Sequence, residues 1–191
     1  VLGMPAGEAL DAIQGFGEVW SSRLLHAYIE SLGEECALLD ARDVLVVGQG
    51  DLGVSVDWSV SAARLADWRA SHPQRRVVIT GFIARDSSGR ITTLGRNGSD
   101  FSASIFAALF DARELHIWTD VDGVLSADPR LVPEAEWVPS LSFEEACELA
   151  YFGAQVLHPR SLQPVVAELN RVSRLTDPRN TYMYCFACSL D

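Results

Sequence analysis

The stretch VVITGF at residues 77–82 decides the fold class of this chain. It is continuous, apolar and rich in β-branched residues, which is typical of a strand buried on both faces of a parallel sheet. Shorter apolar runs at residues 36–39, 44–47 and 115–118 predict three further strands. A turn signal over residues 86–89 predicts a hairpin at the edge of the sheet.

Helical patterns separate these strands. Residues 18–32 carry apolar side chains at the i, i+3, i+4 and i+7 spacing of one helical face, namely Leu25, Tyr28, Ile29 and Leu32. Further helices are predicted after the cap residue Asp57, after residue 100, and from a capping box formed by Ser142 and Glu145. Strands that alternate with helices predict an α/β fold, with a mostly parallel sheet covered by helices on both sides.

Composition and charge exclude several classes of protein. The chain has 191 residues, of which 48% are hydrophobic and 21% charged, and its net charge is −11. A chain of this length buries about 70% of its unfolded surface, so it needs no disulfide or metal to hold a core. The acidic balance predicts no nucleic-acid partner. No apolar run approaches the ~20 residues that cross a bilayer, so we expect no membrane attachment and a cytoplasmic protein.

The cysteines predict neither a disulfide framework nor a metal site. Cys36, Cys147, Cys185 and Cys188 are few and unevenly placed, so we expect them to be reduced. Cys185 and Cys188 have CxxC spacing, but no second pair or nearby histidine completes a zinc or redox site. We therefore assign no metal ligand.

Ligands of open α/β sheets bind beyond the carboxyl ends of the strands, which selects the loops at residues 94–100, 119–130 and 152–159. The first, LGRNGSD, runs into a helix whose free N–H groups favour an anion, and Arg96 offers a planar fork for a carboxylate or phosphate. The alternative is a simple helix cap, in which Ser99 or Asp100 bonds the first N–H groups and Arg96 lies in solvent.

Signals in the other loops are weaker. TDVDGVLSADPR at residues 119–130 has aspartates and an arginine that suit a nucleotide and its magnesium ion, although aspartates also make turns. In the third loop we expect His158 to order the junction between two helices through a backbone hydrogen bond. Glu18 lies at a helix start, where the helix dipole favours a glutamate in any protein.

Taken together, six motifs occur in a specific order. They are GExxS at residues 17–21, VVITGFIA at 77–84, TTLGRNGSD at 92–100, IWTDVDGV at 117–124, ADPR at 127–130 and YFGAQVLHPRS at 151–161. In this order they resemble aspartokinases of the amino acid kinase family, and they are most similar to the kinase portion of bifunctional aspartokinase/homoserine dehydrogenases. The resemblance covers about residues 8–168.

The resemblance implies a fold, a reaction and partners. The fold is the αβα three-layer sandwich of amino acid kinases, which is carbamate kinase-like. The reaction transfers the γ-phosphoryl group of MgATP to the side-chain carboxylate of L-aspartate, giving 4-phospho-L-aspartate for lysine, threonine and methionine synthesis. ATP and Mg²⁺ are the implied cofactors. Implied partners in the parent protein are further copies in a homo-oligomer and fused regulatory ACT and homoserine dehydrogenase domains.

The resemblance also implies roles for individual residues. Arg96 would pair with the α-carboxylate of the substrate, and Glu18 would receive its ammonium group. Asp100 would organise the reacting groups. The positions that line the substrate site are Asn97, Gly98 and Ser99. Those that contact the nucleotide are Thr119, Asp120, Leu125, Arg130, Gln155 and Val156.

The sequence departs from the family pattern in several places. The N-terminal KFGGTS segment, which supplies a phosphate-binding lysine, does not occur. We therefore expect residues 1–168 to be the C-terminal two-thirds of a catalytic domain, poorly active by itself. Gln155 stands where many aspartokinases have lysine, Leu125 replaces a common tyrosine, and residues 169–191 match nothing in the family. Two alternatives stay open: another amino acid kinase, acting on glutamate or N-acetylglutamate, and a non-catalytic kinase-like module.

Overall fold

The computed structural model describes residues 6–50, 53–112, 115–118, 124–128, 130–138, 140–142, 145–146, 148–149, 164 and 183–186. The helices in these ranges are α1 (Ala6–Gln14), α2 (Phe16–Ser31), α3 (Ala41–Val44), α4 (Trp58–Ser71) and α5 (Gly98–Leu109). The strands are β1 (Cys36–Leu39), β2 (Val46–Gly50), β3 (Gly53–Val56), β4 (Arg76–Ile79), β5 (Ile83–Asp86), β6 (Ile91–Thr93), β7 (Leu115–Trp118) and β8 (Met183–Phe186). None of the described helices is both long and apolar enough to cross a membrane.

The strands pair in three groups. β1 lies parallel to β4, and β7 lies parallel to β8. The third group has the order β3-β2-β5-β6, in which β2 and β5 are parallel and the outer pairs are antiparallel. Parallel pairs therefore outnumber antiparallel ones among the described strands, as predicted, and the β5–β6 pair is the predicted edge hairpin. β8 lies within residues 169–191, and the division of the chain at residue 168 stays a prediction.

The strand predicted over residues 77–82 is wrong in its extent. β4 ends at Ile79, and β5 then starts in a different sheet. The reason is a γ-turn centred on Phe82, whose φ is +63°, in which the N–H of Ile83 donates to the carbonyl of Gly81 at 2.6 Å. The apolar run is therefore two strands joined by a turn. The strand predicted at residues 44–47 is also displaced, because the end of α3 occupies its first position.

Helix α2 forms as predicted, but only half of its predicted face packs: Leu25 and Ile29 are partly buried, whereas Tyr28 and Leu32 are exposed. Val19 and Ser22 are buried, whereas Tyr28 is 60% exposed. On the packed side, Nε2 of His26 donates to the carbonyl of Cys36 in β1 at 3.0 Å. Large apolar side chains also recur every fourth residue on the exposed side, at Trp20, Leu24, Tyr28 and Leu32. The spacing of apolar residues therefore could not show which face of α2 is buried, because both sides of the helix carry apolar residues.

Helix α5 runs through the hydrophobic core and anchors the loop that precedes it. Phe101, Ile105 and Phe106 are at most 6% exposed and belong to the same cluster of buried residues as Leu39 and Ile83. Full burial of an apolar side chain of this size contributes about 1.5–3 kcal/mol. The first turn of α5 is therefore held in place by its own buried helix.

Candidate functional site

The candidate site forms where three distant segments meet: the first turn of α2, the junction between β4 and β5, and the first turn of α5. The carboxylate of Glu18 joins them. Its Oε1 accepts a hydrogen bond from Ser99 Oγ, and its Oε2 accepts one from the N–H of Gly81, each at 3.2 Å. The two partners are 81 and 63 residues away in the sequence. We call Glu18, Gly81 and Ser99 the Glu18 cluster, which only the tertiary fold could assemble.

Two features of α2 place the Glu18 carboxylate. Glu18 lies in the first turn, where the helix dipole and free N–H groups favour a negative charge. The preceding Gly15 packs closely on β5, since a Cβ at Gly15 would lie 2.7 Å from Ile83 Cγ2. The start of α2 therefore lies against β5, close enough for Glu18 to reach the N–H of Gly81.

Gly81 lets the β4–β5 junction approach the other two segments. A Cβ at Gly81 would lie 3.2 Å from Glu18 Oε2 and 3.5 Å from Ser99 Cα. Gly81 is absent from the predicted site residues, although the sequence holds a signal for it. It follows the carboxyl end of a strand, which is where ligands of α/β sheets bind.

The loop before α5 bends through two residues in the left-handed region, Gly95 at φ +74° and Asn97 at φ +57°. Helix α5 begins directly after Asn97, whose side chain makes no capping hydrogen bond. The alternative prediction is therefore wrong about the cap, which is neither Ser99 nor Asp100, although Arg96 is exposed as that alternative expected. Asn97 occupies the cap position, and the hydroxyl of Ser99 is bonded to Glu18.

Arg96 and Asp100 bring opposite charges to the start of α5. Arg96 is exposed, and its guanidinium makes no hydrogen bond or ion pair with the part of the chain that the structure describes. Asp100 is half-buried in the first turn of α5, and this burial raises the pKa of its carboxyl group. No hydrogen bond from a described residue offsets that desolvation. Among the described residues, neither Arg96 nor Asp100 has a charged partner, so both are candidates to bind a charged ligand.

Of the predicted nucleotide residues, Leu125 and Arg130 are described. The others, Thr119, Asp120, Gln155 and Val156, lie outside the described residues, as does His158. Leu125 forms an antiparallel bridge with Trp137. Arg130 makes a bidentate ion pair with Asp128, in which Nε lies 3.0 Å from Oδ1 and Nη2 lies 2.8 Å from Oδ2. The backbone N–H of Arg130 also donates to the Asp128 carboxylate.

The Asp128–Arg130 pair has a local, structural explanation. Its hydrogen bonds lower the pKa of the Asp128 carboxyl group, and they close a turn within three residues, as the turn interpretation of this loop predicts. The Arg130 side chain is 76% exposed. No described hydrogen bond or ion pair joins Leu125 or Arg130 to the Glu18 cluster.

The charges around the Glu18 cluster suit a small zwitterion. Glu18 accepts one described hydrogen bond at each oxygen, and a carboxylate has about four acceptor positions, so capacity remains for a cation. Arg96 offers the planar donor fork that pairs with carboxylates. Asp100 adds a second, poorly solvated carboxyl group. Within the described residues, no group of three or more histidine, cysteine, aspartate or glutamate side chains could hold a metal ion.

The chain is similar to several known proteins. A family model described as "Amino acid kinase family" matches residues 2–171. Bifunctional aspartokinase/homoserine dehydrogenase 2, chloroplastic, from Arabidopsis thaliana is 48% identical over 157 residues, which are 82% of this chain and 17% of that protein. Bifunctional aspartokinase/homoserine dehydrogenase 2 from Escherichia coli is 46% identical over 153 residues, 80% of this chain and 19% of the relative. The chain thus spans less than a fifth of the length of these relatives.

Solved structures are similar as well. Aspartokinase III from E. coli, in complex with aspartate and ADP, has a TM-score of 0.72 and 33% identity, covering 87% of this chain and 37% of that one. Aspartate kinase from Clostridium acetobutylicum has a TM-score of 0.66 and 27% identity, covering 95% of this chain and 39% of that one. These similarities confirm the predicted α/β fold class.

Proposed function

Because this chain belongs to the amino acid kinase family, we propose that it is part of an aspartate kinase, which transfers the γ-phosphoryl group of MgATP to the side-chain carboxylate of L-aspartate. The observation that carries the proposal is the Glu18 cluster. It ties a carboxylate between two backbone segments, close in sequence to the half-buried carboxyl group of Asp100 and to Arg96, whose exposed guanidinium bonds none of the described residues.

In this proposal the two charges of the amino acid substrate set its orientation. The ammonium group binds the remaining acceptor positions of Glu18, and the α-carboxylate pairs with the Arg96 fork. Asn97, Gly98 and Ser99 line the space between them. Fixing both ends of a small zwitterion leaves its side-chain carboxylate as the group that can meet the nucleotide.

The proposed phosphoryl transfer requires mainly that the site aligns the reacting groups and neutralises their charge. The attacking group is a carboxylate that is already ionised at neutral pH, so no strong base is needed. Phosphoryl transfer then depends on alignment and on neutralising the charge of the phosphoryl group. Asp100 stands beside Ser99 on α5, and we assign it to organising the reacting groups.

MgATP is the second substrate in the proposal. Its contacts would be Thr119, Asp120, Leu125, Arg130, Gln155 and Val156, and Arg130 would exchange its exposed partner Asp128 for a phosphate. Magnesium commonly binds through one or two carboxylates together with substrate phosphates.

The partners and location of the parent protein are also proposals. Relatives that are 46–48% identical are named as bifunctional aspartokinase/homoserine dehydrogenases, which supports a parent with a homoserine dehydrogenase fused to the kinase. Fused regulatory ACT domains remain a prediction. Assembly into a homo-oligomer and a cytoplasmic location remain predictions. Several of the similar relatives are chloroplastic.

Calorimetric titration of the chain with L-aspartate, in the presence and absence of MgADP, tests the proposal. We expect Arg96→Ala to weaken aspartate binding about 10- to 100-fold, because hydrogen bonds to charged groups contribute about 1.5–3 kcal/mol. Arg64→Ala is the matched control, since Arg64 is an exposed arginine on α4. Unchanged affinity in Arg96→Ala would remove Arg96 from the site.

The alternative amino acid kinases differ in the ligand they would prefer. N-acetylglutamate has no ammonium group, so it cannot make an ion pair with Glu18. A chain that bound N-acetylglutamate in preference to aspartate would overturn the proposed substrate. A folded chain that bound neither amino acid nor nucleotide would instead support the non-catalytic alternative.

A further inference from the structure

Ser102 links two of the segments that form the substrate site. It lies in the second turn of α5 and is 1% exposed. Its Oγ accepts a hydrogen bond from the N–H of Phe82 and donates one to the carbonyl of Gly98, both at 2.8 Å. A hydroxyl group has one hydrogen to donate, so this donor is fully used. The side chain therefore bridges the β4–β5 junction and the first turn of α5.

The junction that Ser102 holds is an unusual one. Phe82 has φ +63°, a region that residues with a side chain seldom adopt, and it is the centre of a γ-turn. Such conformations persist only where the surroundings hold them. Two other contacts restrain Phe82: its carbonyl accepts from the N–H of Leu94 at 2.7 Å, and its ring lies against Gly98, where a Cβ would be 2.6 Å from Cδ2.

Both partners of Ser102 are next to residues that bond Glu18. Phe82 follows Gly81, whose N–H donates to Glu18 Oε2, and Gly98 precedes Ser99, whose hydroxyl donates to Glu18 Oε1. We infer that Ser102 is a positioning residue, which fixes the distance between the Gly81 and Ser99 donors and so orients Glu18 for the amino acid substrate. The identity of that substrate rests on the proposed function. The claim that Ser102 holds the Gly81–Phe82 junction in place does not depend on it.

Ser104 supplies a matched control on the same helix. It is also a serine, it is fully buried, and its Oγ has no hydrogen-bond partner among the described residues. Replacing Ser104 with alanine removes a hydroxyl group that bonds none of the described residues. Replacing Ser102 with alanine removes the same atom together with the bridge. A difference between the two variants therefore reports on the bridge and not on the loss of a buried hydroxyl group.

The test combines two measurements on the wild-type chain, Ser102→Ala, Ser104→Ala and Ser102→Thr, the last of which keeps a hydroxyl group. Amide hydrogen exchange followed by NMR reports on the N–H groups of Gly81 and Phe82. Calorimetry gives the affinities for L-aspartate and, separately, for MgADP.

We expect Ser102→Ala to exchange both amides roughly tenfold faster and to bind L-aspartate roughly tenfold more weakly, as the loss of one to two net hydrogen bonds would produce. Its MgADP affinity and its far-UV circular dichroism should match the wild type. Ser104→Ala should be unchanged in every measurement, and Ser102→Thr should recover much of the aspartate affinity.

Four outcomes would overturn the inference. In the first, Ser102→Ala keeps the amide protection and the aspartate affinity of the wild type; in the second, Ser102→Ala and Ser104→Ala have equal effects. In the third, Ser102→Thr is as impaired as Ser102→Ala; in the fourth, Ser102→Ala loses the helical circular dichroism signal. The last would make Ser102 a determinant of global stability and not a local positioner. If the wild-type chain itself binds no aspartate, the proposed function fails for this chain. The amide exchange of Gly81 and Phe82 then decides the inference alone, and exchange in Ser102→Ala equal to that in Ser104→Ala would overturn it.

Discussion

The start of α5 and the segment around Arg130 are both polar and both follow predicted strands, but they are held in different ways. At α5, the hydroxyl group of Ser99 donates to Glu18, which is 81 residues away, and the helix behind Ser99 is buried. Around Arg130, the side-chain bonds join residues two apart and lie in solvent. The comparison indicates that the proposed amino acid site is built against the core, whereas the Arg130 turn is a local surface feature.

The largest expected effect tests how tightly the α5 start is built. Gly98→Ala should lower the free energy of unfolding by about 1–3 kcal/mol, because the new Cβ would lie 2.6 Å from the Phe82 ring and 3.1 Å from Leu94 Cβ. Urea unfolding measures the change. Gly17→Ala in α2 is the control: no atom lies within 4 Å of its Cβ position, and alanine favours a helix by up to ~1 kcal/mol. Equal urea midpoints for the two variants would contradict the tight packing.

A second, smaller effect should depend on pH. Burial raises the pKa of Asp100, so the folded chain holds this proton more tightly than the unfolded chain does. Its contribution to stability is therefore present at low pH and is lost as the pH rises through the raised pKa. We expect Asp100→Asn to melt at a higher temperature than the wild type at pH 7, with the gap closing below the ordinary aspartate pKa of about 3.9.

Differential scanning calorimetry from pH 3 to pH 7 checks this result. The difference between variant and wild type cancels the titration of the other acidic residues. Asp67→Asn, at an exposed aspartate on α4, should show no such pH-dependent gap. A gap that stayed constant over the whole pH range would contradict a desolvated Asp100.

The smallest effect should be at Arg130. Arg130→Ala should leave the urea midpoint and the aspartate affinity unchanged, because exposed ion pairs add little to stability. If the proposed nucleotide role holds, MgADP binding should weaken, by roughly tenfold at most for such an exposed charge. Calorimetry with each ligand separates the two results. A large loss of stability would show that the turn is not a local surface feature.

The same contrast explains what the sequence could predict. Helix α2, the β5–β6 hairpin and the entry of residues 94–100 into α5 follow local rules of spacing, turn residues and caps, and these predictions are confirmed. The face of α2 was predicted correctly for Leu25 and Ile29 and wrongly for Tyr28 and Leu32, because large apolar side chains occur on its exposed side as well. The γ-turn at Phe82 was missed because it interrupts a run of apolar, β-branched residues without any change in composition.

The site divides in a similar way. Glu18 and Ser99 were candidates only through the resemblance of ordered motifs, since their contact joins residues far apart in the chain. Ser102 gave no signal at all. A serine inside a helix commonly donates to a backbone carbonyl of the preceding turn, as Ser102 does to Gly98. Nothing in the sequence shows that Ser102 Oγ also accepts a hydrogen bond from the N–H of Phe82. Such a role depends on tertiary contacts that local patterns do not encode.

The measurement that tests the central claim most directly is a calorimetric titration with L-aspartate and with N-acetyl-L-aspartate, on the wild-type chain and on Glu18→Gln. The two ligands differ only in the charge and bulk of the amino end, which is the end assigned to Glu18. We predict that the wild-type chain binds L-aspartate and discriminates strongly against the acetylated ligand, and that Glu18→Gln loses most of this preference. A wild-type chain that bound both ligands equally, or a Glu18→Gln chain with unchanged preference, would contradict the assignment of the Glu18 cluster to an amino acid substrate.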